Sequence, residues 1–260
     1  MANALTRLIP RGLKQRLVER MLSSRVPPTF DGIFSSVAEV PTVADGYGNE
    51  TFARRSAAMV HTLRASNEPP PTENNLVSVA LGFLSNPGRP LRVLDFGGSA
   101  GIHYLMAQKA LGNAMPAVDW TVVEMDGICV AGRELWPGQV TFSSFIPVGY
   151  CGDLVVASSS LQYSTDFRET LYALLACEAS HVLLANTPIG DVTQSFVTRH
   201  VNAESLHCWI MALADIASLA EECGYELMFC GSQRRTHNPE SFPAGYRIEH
   251  YRDVILRKKI

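Results

Sequence analysis

At 260 residues, with 47% hydrophobic and 18% charged side chains, the chain is long enough to bury a sizeable core and too apolar to be disordered. A formal net charge of -3 exerts no global pull toward nucleic acid or a membrane surface. Six scattered cysteines without a Cys-x-x-Cys pair argue against a metal site or a disulfide framework and for a reducing cytoplasm.

No apolar run approaches the ~20 residues of a membrane span, and the N-terminus lacks the ~7–15-residue apolar stretch of a secretory signal. The expectation is a soluble cytoplasmic protein.

Residues 1–25 read as a basic amphipathic helix, with Leu5, Leu8, Ile9, Leu13, Leu17 and Met21 on one face and Arg7, Arg11, Lys14, Arg16 and Arg20 beside it. Two readings stay open: packing on the main domain or across a homodimer, and contact with an anionic membrane surface. Val26 to Phe30 ends this element, and residues 31–49 read as loop. Helices are predicted over Thr51–Arg64 and Asn75–Leu84, separated by a proline-rich break at 66–71. We place the boundary between an N-terminal helical extension, 1–88, and a catalytic core, 89–260, within the turn at Asn86–Pro90.

From there strands and helices alternate, as in a mostly parallel sheet with helices on both faces. Strands are predicted at Leu91–Phe96, Asp119–Glu124, Val140–Ser144, Asp153–Ala157, His181–Ala185, Tyr225–Cys230 and Tyr246–Leu256. Helices are predicted at Ile102–Leu111, Gly127–Leu135, 166–177 and, as one long amphipathic element, Ala203–Glu222. The expected fold is α/β: a doubly wound, seven-stranded, Rossmann-like sheet with an antiparallel last strand.

In such a sheet a ligand sits beyond the carboxyl ends of the strands. The first strand ends in Asp95-Phe-Gly-Gly-Ser-Ala-Gly101, so Gly97, Gly98, Ser99 and Gly101 form a turn that leads into a helix. The glycines supply unusual backbone angles and let a ligand approach bare backbone. The loop fits Asp-x-Gly-x-Ser-x-Gly, the S-adenosylmethionine loop of methyltransferases, and not Gly-x-Gly-x-x-Gly, because Ser99 replaces the second glycine. Asp95 would take the ligand's ammonium, directly or through water, and the helix-opening amides its carboxylate.

Glu124, at the second strand end, is placed to accept both ribose hydroxyls, and Met125 can lie against the adenine. Ser158 and Ser159 form a polar patch at the fourth strand end, beside the cofactor or the acceptor. Gln162 and Tyr163 are recognition candidates for the acceptor. Tyr104 either faces the sulfonium or belongs to the core of its helix.

Methyl transfer needs in-line alignment and exclusion of water. An oxygen acceptor of high pKa would also want a base, for which the candidates are His103, nearest the loop, then His200, His207 and Asp191. There is no Ser-His-Asp pattern, no His-x-x-x-His pair, and no Pro-Pro-Tyr base pocket that would suit nucleic acid. An NAD(P)-dependent oxidoreductase and an inactive nucleoside-binding module of the same fold are the alternatives, because Glu124 would serve either.

The chain resembles a family of candidate methyltransferases often encoded among bacterial surface-polysaccharide genes. The resemblance rests on Val93–Gly101, Trp120–Glu124, Ser158–Tyr163, Asn186-Thr-Pro188 and Val192-Thr-Gln194, with Phe30–Phe34 and Gly46-Tyr47 upstream, and spans roughly residues 30–230. It implies an S-adenosylmethionine-dependent enzyme acting on a small-molecule or glycan-linked acceptor, with Tyr47 and Gln194 near that acceptor. Asn186 stands where the family pattern has an arginine. If that arginine binds acidic substrates, the acceptor here differs.

Overall fold

The structure, a computed structural model, describes residues 29–41, 50–70, 75–86, 88–201, 206–234 and 242–259. The basic segment 1–25 and Tyr47 lie outside the described residues. In chain order the elements begin with β1 (Phe30–Phe34), α1 (Glu50–Ala65), α2 (Leu76–Leu84), β2 (Leu91–Phe96) and α3 (Ile102–Leu111). Next come β3 (Val118–Val123), α4 (Asp126–Leu135), β4 (Val140–Ser143), β5 (Leu154–Ser158), α5 (Phe167–Leu175) and β6 (His181–Ala185). The chain closes with β7 (Ile189–Gly190), β8 (Phe196–His200), β9 (Leu206–Ala212), α6 (Leu213–Glu222), β10 (Tyr225–Arg234) and β11 (His250–Lys258).

Seven strands form one mixed sheet in the order β10-β11-β6-β5-β2-β3-β4. The pairs from β6 across to β4 are parallel, and β11 runs antiparallel to both β6 and β10. This is the Rossmann-like sheet with an antiparallel last strand that the alternation predicts. Every residue of β5 is buried, because helices cover both faces of a parallel sheet. Side chains alternate accordingly: Val93, Leu154 and Val156 join the core on the α1–α4 side, while Leu94, Val155 and Ala157 join the core beneath α5 and α6. Val60 of α1 and Leu81 of α2 are wholly buried in the first of these cores.

Strand order reverses at β2, which pairs with β3 on one side and β5 on the other. Helices leaving these two neighbours in opposite directions open a crevice at their carboxyl ends. That crevice holds the loop Gly97–Gly101 and the Ser158–Ser160 segment.

Three expectations change. The predicted helix Ala203–Glu222 is strand β9 followed by α6. In Leu206-His-Cys-Trp-Ile210, Leu206, Cys208 and Ile210 are buried while His207 and Trp209 are half-buried, a period of two. The helical reading arose because Leu206, Trp209, Ile210, Leu213, Ile216 and Leu219 also fall at three- and four-residue steps. Part of the predicted loop 31–49 is β1, and the unassigned residues 196–200 are β8, a Phe-Val-Thr run suited to a strand.

These pieces make a second sheet, in the order β1-β8-β9-β7. It is rooted by β7 just past the carboxyl end of β6 and pairs an upstream strand with a long insertion. An aromatic-rich cluster including Phe30, Phe196, Cys208, Ile210 and Phe242 fills one face. We call it the cap sheet. Among the described residues no helix is long and apolar enough to cross a membrane.

Candidate functional site

The loop after β2 is shaped by close protein neighbours. Gly97 and Gly101 have φ of 69° and 86°, where other residues are strained. A Cβ on Gly97 would strike Ser160, one on Gly98 the Asp95 carboxylate, and one on Gly101 the Trp136 indole. The glycines thus let the chain fold onto itself, beyond the ligand approach expected of them. Ser99 is left-handed at φ 53°, and its N–H donates to Glu124 Oε1 at 3.1 Å. No side chain caps the start of α3, so its amides keep the character of an anion site.

Asp95 is wholly buried. Its Oδ1 and Oδ2 lie 2.9 and 3.2 Å from His103 Nδ1, and Trp120 Nε1 donates to Oδ2 at 3.3 Å. A carboxylate only accepts, so Nδ1 of His103 carries the proton. Burial by itself disfavours the His103 imidazolium, but Asp95, with a smaller contribution from Glu124, outweighs it and raises the pKa above 6.5. Tyr104 points inward, edge-on to Trp120 and Trp136 with ring centres 5.5 and 5.1 Å away. Its ring is a core element, the second of the two readings open for it.

Glu124 follows β3 directly. Met125 N–H donates to Oε2 at 2.9 Å, so both oxygens are oriented by backbone while each keeps a lone pair for a ligand hydroxyl. Burial raises its pKa, the Met125 and Ser99 amides and His103 work against that, and Asp95 adds to it. Met125 is 45% exposed beside it, free to cover a planar base.

At the ends of β5 and β6 the polar residues are tied to one another. Ser158 is buried and accepts from Asn186 Nδ2 at 3.2 Å. Ser159 and Asn186 are both left-handed, at φ 57° and 51°, and Ser159 Oγ donates to the Asn186 carbonyl at 3.0 Å. Ser160 Oγ donates to the Phe96 carbonyl at 2.7 Å, binding this segment to the nucleotide loop. Asn186 is buried, and its N–H donates to Asp253 Oδ1 at 2.9 Å. It is therefore a strand-end tie, and Asp253 of β11 is a partner that nothing in the sequence signalled.

Among the residues expected at the acceptor, Gln162 is buried with an Oε1 that has no hydrogen-bond partner. Tyr163, in the short turn Leu161–Tyr163, lies 2.9 Å from His200 Nδ1 through its hydroxyl, and the rings stack at 6.1 Å and 13°. Burial lowers the His200 pKa, so the ring is neutral near pH 7. Gln194 Nε2 donates to the Tyr246 hydroxyl at 2.9 Å, bringing in a tyrosine that sequence reading missed. His207 is spent on the Tyr163 and Ser164 carbonyls, and Asp191 on Arg252. Among the described residues no cluster of three or more His, Cys, Asp or Glu could hold a metal.

The seven-stranded sheet with its flanking helices is the class I methyltransferase fold. The solved structures it is similar to include Burkholderia thailandensis 1,6-didemethyltoxoflavin-N1-methyltransferase, which holds 1,6-didemethyltoxoflavin and S-adenosylhomocysteine. Identity is 14%, 85% of this chain and 93% of that one are covered, and the TM-score is 0.50. A chain from the complex of the Haloferax volcanii Trm112 methyltransferase activator with a candidate methyltransferase matches at 11% identity, 84% and 98% coverage and a TM-score of 0.54. No family model and no curated protein matches the chain. At such identities the likeness establishes the fold.

Proposed function

We propose that the protein is an S-adenosylmethionine-dependent methyltransferase that methylates an oxygen of a small-molecule or glycan-linked acceptor. The observation that carries this reading is the joined loop and acid: Ser99 N–H holds Glu124 at the crevice where the uncapped start of α3 opens. A carboxylate oriented by two amides suits a ribose diol, and the helix start suits the methionine carboxylate. S-adenosylmethionine supplies a methyl group already activated by its sulfonium. The chain's tasks are then to bind, to align the acceptor and to receive its proton.

Tyr163 and His200 are placed for that last task. Ser160 links the Tyr163 turn to the end of β2 at Phe96, and neutral His200, with its proton on Nε2, can draw on the Tyr163 hydroxyl as that oxygen takes the acceptor's proton. Gln162, with its unpartnered oxygen, would accept from a donor on the acceptor. The pairing of β1 with β8 supports a role for the 1–88 extension in covering the acceptor.

Calorimetry with S-adenosylhomocysteine tests the reading. Wild-type protein should bind at one site, and Glu124→Ala should weaken binding at least about tenfold, as expected for loss of a charge-assisted diol contact. Absence of binding by folded wild-type protein, or binding of NAD in its place, would sink it.

A further inference from the structure

The loop rests on a buried charge that needs a counter-charge. Asp95 is wholly buried, and a carboxylate at that depth must be paired or give up its charge. Its hydrogen-bond partners are the neutral Trp120 indole and His103. Glu124 is a second carboxylate whose charge reaches both Asp95 and His103. Two acids and one imidazole therefore share the floor of the crevice.

Their arrangement makes a closed circuit. The Gly98 backbone lies directly against the Asp95 carboxylate, since a Cβ there would strike Oδ2. The next residue, Ser99, supplies the N–H that orients Glu124, and Glu124 acts back on His103. His103 itself stands in the first turn of α3, directly after the loop.

We propose that His103 is a positioning residue for the cofactor: its ring, hydrogen-bonded to Asp95, fixes that carboxylate beneath Gly98 and so holds the Ser99–Glu124 arrangement that receives the nucleoside. The inference rests on the methyltransferase reading and deepens it. It also separates two roles that one Asp–His pair can serve. A general base would present Nε2 to the acceptor and leave cofactor binding untouched. A positioning cation would act on cofactor binding before any acceptor arrives.

The charge balance gives the sign. Cofactor binding favours the state with His103 protonated, so affinity falls as pH rises through the raised His103 pKa. The groups whose charge acts on the ring are Asp95 from β2 and Glu124 after β3. At the acid end Glu124, its own pKa raised by burial, loses the ionised form that accepts the ribose hydroxyls. The affinity profile is therefore a bell, and His103 owns its alkaline limb.

The experiment is calorimetry of S-adenosylhomocysteine binding between about pH 5 and about pH 9, spanning the ordinary histidine range. It uses wild-type protein, His103→Asn and Asp95→Asn, each checked by thermal unfolding. Asparagine at 103 keeps a donor but carries no charge, and asparagine at 95 removes the need for one. Wild-type affinity should drop at least about tenfold from its maximum to the alkaline end. His103→Asn should bind at least about tenfold more weakly at neutral pH, and in both variants the alkaline limb should flatten.

Should a variant fail to fold, wild-type protein alone decides: binding measured in buffers of different ionisation heat should show proton uptake on the alkaline side, and no uptake overturns the proposal. Superimposable wild-type and His103→Asn profiles also overturn it, while leaving the methyltransferase reading intact. Folded wild-type protein that binds at no pH overturns that reading as well.

Discussion

Each polar group at the crevice is fixed by a neighbour that constrains what it can do. Asp95 is enclosed by His103, Trp120 and Gly98, so it organises the loop from below. Tyr163 and His200 form the pair suited to taking a proton, with His200 kept neutral by burial. On an acceptor that turns over, kcat/KM should rise with pH through a value below 6.5, as neutral His200 forms, and then level. Tyr163→Phe should lower kcat by about tenfold to a thousandfold, while S-adenosylhomocysteine affinity changes less than about twofold. An unchanged kcat in that variant, or a wild-type profile flat across the acid range, would remove the pair from the chemistry.

The glycines, Ser99 and Glu124 were legible in the sequence because loop chemistry is local: spacing alone implies a turn, a helix start and an acid beside it. What Asp95 bonds was not legible, since it depends on how the first turn of α3 folds back over the end of β2. The Tyr163–His200 pair was hidden for a related reason. Each residue could be named as a candidate, but they meet only because β8 joins a sheet the sequence did not announce.

At the level of elements, the central sheet followed from the alternation of short apolar runs with amphipathic segments, and the cap sheet did not. Residues 206–219 satisfy two periods at once. A strand wins over 206–212 because Cys208, Ile210 and Ala212 pack on one face with Phe30, Phe196 and Phe242. β1 escaped notice because Phe-Asp-Gly-Ile-Phe is short, carries a left-handed Gly32 at φ 80°, and gains its partner from β8 far along the chain.

The strand assignment has a measurable consequence. Ile210 is wholly buried in the cap cluster, so Ile210→Ala should cost about 2–5 kcal/mol in chemical denaturation. His207, half-buried on the alternate side of β9, holds the Tyr163 and Ser164 carbonyls. The same loss should therefore loosen the Tyr163 turn and slow turnover more than it weakens cofactor binding. A cost below about 1 kcal/mol would contradict the packing.

At the scale of the whole molecule, three hydrophobic clusters divide the work. Two pack against the opposite faces of one sheet and fix the loop, Glu124 and the β5 end relative to one another. The third belongs to the cap sheet, which starts from the end of β6; Tyr163 and Tyr246 pack against it, and Tyr163 meets His200 of β8. Ser195 and Arg168 tie cap to core through Asp215, to which they donate at 2.6 Å each. The loop and Glu124 thus belong to the central sheet and His200 to the cap sheet, and the loop is the better determined by sequence because it is built from neighbouring strand ends.

The measurement that tests this account most directly is an experimental structure with S-adenosylhomocysteine bound. The account predicts the ribose hydroxyls on Glu124, the amino-acid end at the loop Gly97–Gly101 and the start of α3, and the sulfur turned toward Tyr163 and His200. A ligand seated in another crevice, or a ribose with no contact to Glu124, would contradict it.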